Sequence, residues 1–303
     1  VKRQPETLAP EDEGAPLLTV PELPDSLFRE YQELIYRHAG IFLGPAKKAL
    51  LLGRLSRRLR ELGALSLSAY LRRVREEPAE RVHLIEAVCT HETHFFREPR
   101  HFTFLERDVL PRWRAQGATD AGARVVRAWS AACSSGEEPF SLAMVLRQHL
   151  PAEQGWHIDV LATDLSSRVL DRARQTLWPV DKAREIPEDY LKQFMLRGTG
   201  TQEGRMKAGP ELRNLVRFQQ LNLNDAHYPG LGRFDLIFCR NVLIYFDTAS
   251  KQRVIGQLLS HLGPAGYLFM GHAESLTGMT DRVRTVMPTV YTVLPPGSQP
   301  ARG

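Results

Sequence analysis

After about Gly122 the chain changes its period, and that change constrains the fold more than any other feature. Short runs rich in β-branched and aromatic residues, at 124–132, 156–162, 215–219, 234–239 and 266–270, alternate with helical stretches at 140–149, 167–175 and 248–261. Strands alternating with helices predict a parallel, doubly wound α/β sheet. Before residue 120 no strand pattern occurs. Asp25 or Ser26 can cap a helix with Phe28, Tyr31, Leu34, Ile35 and His38 on one face, and Gly40 can end it. Leu51, Leu55, Leu59 and Leu62 share one face of a second helix over roughly 46–62, and more helix is expected from Ser66 to about Cys89. The expected organisation is an all-helical unit over 25–89, a linker over 90–121 and an α/β domain over 122–295. Within the last, about 178–216 is too long for an ordinary connection. It holds a helix-like piece at 187–196, a turn-rich RGTGTQEG and a strand-compatible RMKAG, and reads as a small inserted β-subdomain. Residues 1–24 and 296–303 lack periodicity and read as flexible tails.

The stretch AWSAACSSGEEPF, Ala128 to Phe140, joins the first strand to the first helix of that sheet. Open α/β sheets bind ligands beyond the carboxyl ends of their strands, so this turn is the default site. It has one glycine, Gly136, and lacks both the GxGxxG pattern and a P-loop lysine. Glu137 and Glu138 stand where the helix begins and would repel a phosphate. A ligand with an adenosine and a cationic centre fits better, and S-adenosylmethionine is such a ligand. Asp164, just after the second strand, is placed to accept from ribose hydroxyls. Each acid also has a plainer role: the two glutamates complement the helix dipole, and Asp164 caps a helix.

Charge and cysteines narrow the classes. Forty basic residues against thirty-five acidic ones leave a net charge of +5, which suggests a nucleic acid or an acidic protein surface as partner. Lys47, Arg54, Arg57, Arg58 and Arg60 crowd the polar side of the second helix, so the charge is concentrated there. Cys89, Cys133 and Cys239 are far apart, so neither a CxxC pair nor a zinc knuckle is present and no metal is expected. No apolar run is long enough to span a bilayer and no signal-peptide pattern opens the chain, so the expected setting is a reducing cytoplasm.

Six motifs occur in a set order: THETHFFREPRHF from Thr90, WSAACSSGEEPFSLAM, ATDLSSRVLDRAR, LNL at 221–223, FDLIFCRNVLIYFD and GYLFMGHAESL. Together they resemble the chemotaxis receptor methyltransferases, the CheR family, from about Phe28 to Tyr291. The resemblance implies a helical N-terminal domain, a class I methyltransferase domain of Rossmann-like fold and a small β-subdomain inserted in it. It implies methyl transfer from S-adenosylmethionine to glutamate γ-carboxylates on chemoreceptor cytoplasmic helices, with S-adenosylhomocysteine as the other product. Cofactor contacts carried over by position fall on His91, Thr93, Arg97, Glu138, Asp164, Asn222, Leu223, Arg240 and Asn241. His91 departs from the pattern, since relatives commonly carry Asn there. Arg97 can also hold a carboxylate of substrate or cofactor, and Tyr245 can present its hydroxyl to the methyl group or substrate, or serve as a core tyrosine. The resemblance makes Lys47, Arg54, Arg57, Arg58 and Arg60 a docking face for acidic receptor helices, with a solvated helix face as the alternative. It also allows the inserted subdomain to take a receptor C-terminal peptide by strand addition. A nucleic-acid methyltransferase would suit the charge, but the N-P-P-Y type motif of base aminomethylases and a base-stacking aromatic stripe are both missing. A same-family enzyme of a non-chemotaxis receptor system, or a non-catalytic scaffold, stays open. No coiled-coil seam is present, so the expected state is a monomer.

Overall fold

The computed structural model describes residues 22–63, 66–119 and 124–294. The tail expected over 1–24 therefore lies outside it up to residue 21, and the tail at 296–303 lies outside it altogether. The helical unit contains α1 (Asp25–Ala39), α2 (Lys48–Glu61), α3 (Leu67–Glu76) and α4 (Pro78–Val88). Gly40 ends α1 in the left-handed region, at φ 69°. The single helix expected from Ser66 to Cys89 is in fact two, because Pro78 cannot continue α3 and instead starts α4 at its first position. Leu23, expected in the tail, is 1% exposed and packs with Leu27, Tyr31, Leu51, Leu55, Tyr70 and Leu84 in the core of this unit. His38, expected on the buried face of α1, is only half-buried, and Ala39 takes the inner position.

The linker carries α5 (Pro99–Phe104), which passes through a π turn at Leu105–Val109 into α6 (Leu110–Thr119). The α/β unit follows: β1 (Arg124–Ala131), α7 (Glu137–His149), β2 (Trp156–Asp164), α8 (Ser167–Gln175), then the insert with β3 (Leu177–Pro179), α9 (Glu188–Phe194), β4 (Met195–Arg197) and β5 (Arg205–Ala208). After α10 (Pro210–Arg213) come β6 (Val216–Gln220), β7 (Phe234–Cys239), α11 (Thr248–Ser260), β8 (Leu262–Met270), β9 (Val283–Met287) and β10 (Val290–Val293). Seven strands form one sheet in the order β6-β2-β1-β7-β8-β10-β9. The pairs from β6 to β8 are parallel, while β10 runs antiparallel to both of its neighbours. The final hairpin was not anticipated, because its runs are short and half-exposed. The insert folds as a separate three-stranded sheet, β3-β5-β4, all antiparallel.

This order fixes where a ligand can sit. From β1 the chain winds outward through β2 to β6, then crosses back to lay β7 on the other side of β1. The loops after β1 and β7 therefore leave in opposite directions, and a crevice opens between them at the carboxyl ends of the strands. The helical unit closes over that crevice. An isolated antiparallel bridge pairs Ile41 with Phe246, and the Phe42 N–H donates to the Tyr245 carbonyl at 2.8 Å.

Candidate functional site

The crevice is a cavity of about 940 Å³, its open mouth included, between the helical unit and the strand ends. Its walls contain His91, Thr93, Arg97, Glu138, Asp164, Asn222, Leu223, Arg240, Asn241 and Tyr245, so four separate strand ends and the linker converge on one space.

The first turn is shaped by backbone that side chains rarely adopt. Ala132 (φ 69°), Ser134 (φ 49°) and Gly136 (φ 96°) all lie in the left-handed region. A Cβ on Gly136 would come within 3.1 Å of the Ala173 Cβ of α8, so a close approach reinforces the need for glycine there. Such local strain is tolerated when surrounding bonds over-determine it. Here the Asp164 carboxylate accepts from the Ser134 N–H at 2.9 Å and the Ser166 N–H at 3.0 Å, joining the loops after β1 and β2. Burial nevertheless pushes the Asp164 carboxyl above the ordinary aspartate range, and those N–H groups and the nearby His91 pull against it. Further hydrogen-bond donors from a ligand would favour its ionised form.

The two glutamates of the turn diverge. Glu138 lines the cavity, accepts from the Ser130 hydroxyl at 2.6 Å and pairs with the Arg240 Nε at 2.8 Å. Glu137 is turned away, toward the insert: its carboxylate meets the Lys182 ammonium at 2.7 Å and the Ser135 hydroxyl at 2.7 Å. The insert also buttresses the linker motif. Trp178 packs edge-on against Phe95 and Phe140, Glu185 accepts from the Phe95 N–H at 2.9 Å, and Lys182 donates to the Thr93 carbonyl at 3.1 Å.

Arg240 is buried beside Phe102 and Phe238 and donates to the Arg97 carbonyl and, at 3.3 Å, to His101 Nδ1. Burial first, then Arg240, pushes the His101 imidazole down to about 4. Glu98, His101 and His272 bring their ligand atoms within 4.8 Å of one another. Arg240 already stands against two of them, with its Nη1 3.6 Å from Glu98, so the place a metal ion would take has a cation beside it.

Arg97 uses Nη1 to hold the Glu92 carbonyl at 3.1 Å, and its other N–H groups have no partner among the described residues. Asn222 ties the helical unit down by donating to the His38 carbonyl at 2.7 Å. Asn241 adopts φ 59°, and Glu274 holds that strained loop by accepting from the N–H groups of Asn241, Gly271 and Ile244. Glu274 was not picked out from the sequence, although it stands in the GHAESL motif. A carboxylate three residues after the glycine that ends a strand was the available signal. Two lining residues keep buried polar atoms without a partner among the described residues, Nε2 of His91 and Oδ1 of Asn241. Native interiors rarely leave such atoms unpaired, so a polar ligand is the natural partner. Burial holds the His91 imidazole below its ordinary value, against the opposing pull of Asp164.

The basic helix requires a correction. The Arg54 guanidinium points inward and donates to the carbonyls of Ala87, Val88 and Cys89 and to the Thr90 hydroxyl, which covers the end of α4. Arg58 makes a two-pronged pair with the buried Glu80 at 2.8 Å for each prong, and Glu80 also accepts from Tyr70. Neither is a free docking charge, because α4 packs across that part of the polar side of α2. Lys47, Arg57 and Arg60 remain exposed.

Residues 26–89 match the family model for the CheR methyltransferase all-alpha domain, and residues 91–292 match the CheR methyltransferase SAM-binding domain. The chain is 39% identical over 264 residues to chemotaxis protein methyltransferase 2 of Pseudomonas aeruginosa, covering 87% of this chain and 91% of that one. It is 37% identical over 272 residues to the chemotaxis protein methyltransferase of Escherichia coli K12, covering 89% and 91%. With the corresponding protein of Borreliella burgdorferi it shares 34% identity over 262 residues, covering 86% and 91%.

Proposed function

This chain belongs to the CheR methyltransferase family, whose members use S-adenosylmethionine, and on that premise we propose that it methylates glutamate γ-carboxylates on the cytoplasmic helices of chemoreceptors. The observation that carries this reading is convergence. Every residue that the sequence motifs suggest for cofactor contact lines one cavity, together with Tyr245.

When bound, S-adenosylmethionine supplies an electrophilic methyl group on a sulfonium. The residues present fit it. Asp164 is the acceptor for ribose hydroxyls, and the unpartnered atoms of His91 and Asn241 take polar groups of the ligand. His91 is held neutral by burial and so adds no charge beside a cation. Glu138 keeps a negative group in the wall, with Arg240 fixing its direction.

A glutamate carboxylate, with an ordinary pKa near ~4.3, is already a nucleophile at neutral pH. The protein therefore has orientation and water exclusion to provide, and no proton to remove. Arg97, with free N–H groups at the cavity wall, orients a carboxylate, and Tyr245, which also lines the cavity, offers its hydroxyl. Lys47, Arg57 and Arg60 steer an acidic helix toward the enzyme. The insert has an edge strand, β4, with Leu196 exposed, suited to adding an extended receptor peptide. No described helix is long and apolar enough to cross a membrane, which suits an enzyme that meets its receptors from the cytoplasm.

The test is transfer of labelled methyl from the cofactor to receptor cytoplasmic fragments, RNA and DNA in parallel. Alkali-labile label on the receptor alone, lost when its acceptor glutamates are changed to alanine, is the expected result. Label on nucleic acid, or alkali-stable label on protein, overturns it.

A further inference from the structure

Glu86 lies on α4 of the helical unit, is 5% exposed, and reaches out of its own unit. Its neighbours Leu84, Ile85 and Val88 fill the helical core, whereas its carboxylate accepts from the Ser166 hydroxyl at 2.7 Å and the Arg168 N–H at 3.2 Å. The Ser167 hydroxyl stands at 3.5 Å and the Arg168 Nε at 4.0 Å. These groups are the cap and first turn of α8, the end where a carboxylate is favoured. Ser166 already caps α8 from within by accepting from the Val169 N–H. The first N–H groups of a helix have no partner inside it, and Glu86, from another unit, takes that of Arg168.

The contacts continue beyond α8. Ser166 donates its N–H to Asp164, Asp164 accepts from the Ser134 N–H on its other oxygen, and the Ser134 hydroxyl donates to the His91 carbonyl at 2.9 Å. His91 lies five positions after Glu86, so the chain itself closes the circuit, and Arg54 fixes the intervening carbonyls. Asp164, Ser134 and His91 all line the cavity. A buried carboxylate must have its hydrogen bonds met, so Glu86 holds this arrangement more tightly than an apolar contact would.

We propose that Glu86 is a positioning residue for the cofactor site: through Ser166 it sets the placement of Asp164, so that the helical unit determines how well the methyltransferase unit holds S-adenosylmethionine. This rests on the reading of Asp164 as the ribose acceptor.

The test uses the full chain and S-adenosylhomocysteine in calorimetric titration. Glu86→Ala and Ser166→Ala should each weaken binding roughly tenfold, the scale of one hydrogen bond to a charged group. The double variant should be no weaker than the worse single one, because both break one linkage. Glu86→Gln retains an acceptor oxygen and should stay within about threefold of wild type. With saturating receptor, the cofactor KM of Glu86→Ala should rise while kcat holds. Unchanged affinity in folded Glu86→Ala, additive losses, or a Gln variant as weak as the Ala one would overturn the proposal. If Glu86→Ala does not fold, Glu86→Gln and Ser166→Ala carry the same comparison. Amide exchange at Ser134 and Ser166 in the ligand-free protein separates the two layers. Faster exchange in the variant, with a wild type that binds no S-adenosylhomocysteine, would leave the linkage standing and overturn its cofactor role together with the proposed function. Unchanged exchange would overturn the linkage itself.

Discussion

The turn after β1 and the basic helix α2 are both conspicuous in the sequence, yet the structure treats them differently. In the turn, Ser134, Glu138 and the partnering Asp164 all meet at the cavity. At α2 the five basic residues singled out divide: Arg54 and Arg58 bind groups at α4, while Arg57, Arg60 and Lys47, just before the helix, face solvent. A turn at the end of a buried strand is placed by the sheet and by three left-handed residues, so few outcomes are open to it. The polar side of a surface helix has no such constraint. Which of its charges reach water depends on what else packs there.

The contrast can be pressed hardest at Arg58. If it is structural, Arg58→Ala strands the buried Glu80 carboxylate and should destabilise the protein by about 3 kcal/mol, at the low end for breaking a buried pair. Urea unfolding would show this, and a loss within experimental error would return Arg58 to the docking face. At the turn, Asp164→Ala removes a charged acceptor and should weaken cofactor binding by about 1.5–3 kcal/mol. Calorimetry on the folded variant checks it, and intact affinity would remove Asp164 from the site.

A subtler effect is expected in acid. Glu138 reaches through Arg240 to His101, whose imidazole is pushed down to about 4 by burial and by Arg240. An unfolded chain takes up that proton near ~6.5. Between those values the unfolded state binds more protons, so this contribution to stability is complete above ~6.5 and is lost as the pH falls toward 4. The melting temperature should therefore fall less steeply over that window in His101→Gln than in wild type. Parallel slopes would show that His101 is not held neutral. The smallest effects belong to the exposed cations. Reversing Lys47, Arg57 and Arg60 to Glu should leave cofactor affinity and stability nearly unchanged, since exposed pairs are worth about 0–1 kcal/mol. Receptor methylation should slow through KM and lose part of its salt dependence. Unaltered rate and salt dependence would make these three cations part of a solvated face with no docking role.

The sequence by itself determined the fold class, the alternation of the main strands and helices of the sheet, and the chemistry the crevice favours. Those depend on periodicity and on short motifs: apolar runs alternating with helices make β1, β2 and β7, and the Gly136-Glu137-Glu138 turn puts two carboxylates where α7 begins. Asp164 was legible for the same reason, being local to a strand end. The motifs single out Glu138 over its neighbour, and only the tertiary structure shows why it is the one that faces the cavity. Glu137 and Glu138 are adjacent and chemically identical, and Lys182, forty-five residues beyond Glu137, draws one of them away. Arg54 and Arg57 lie on the same helix, and α4 captures one and leaves the other in water. Glu86 reads as an ordinary surface glutamate until α8 is laid against it. Periodicity is a property of the backbone and is written locally. A polar side chain takes its role from the partner that compensates its burial, and that partner arrives from elsewhere in the chain.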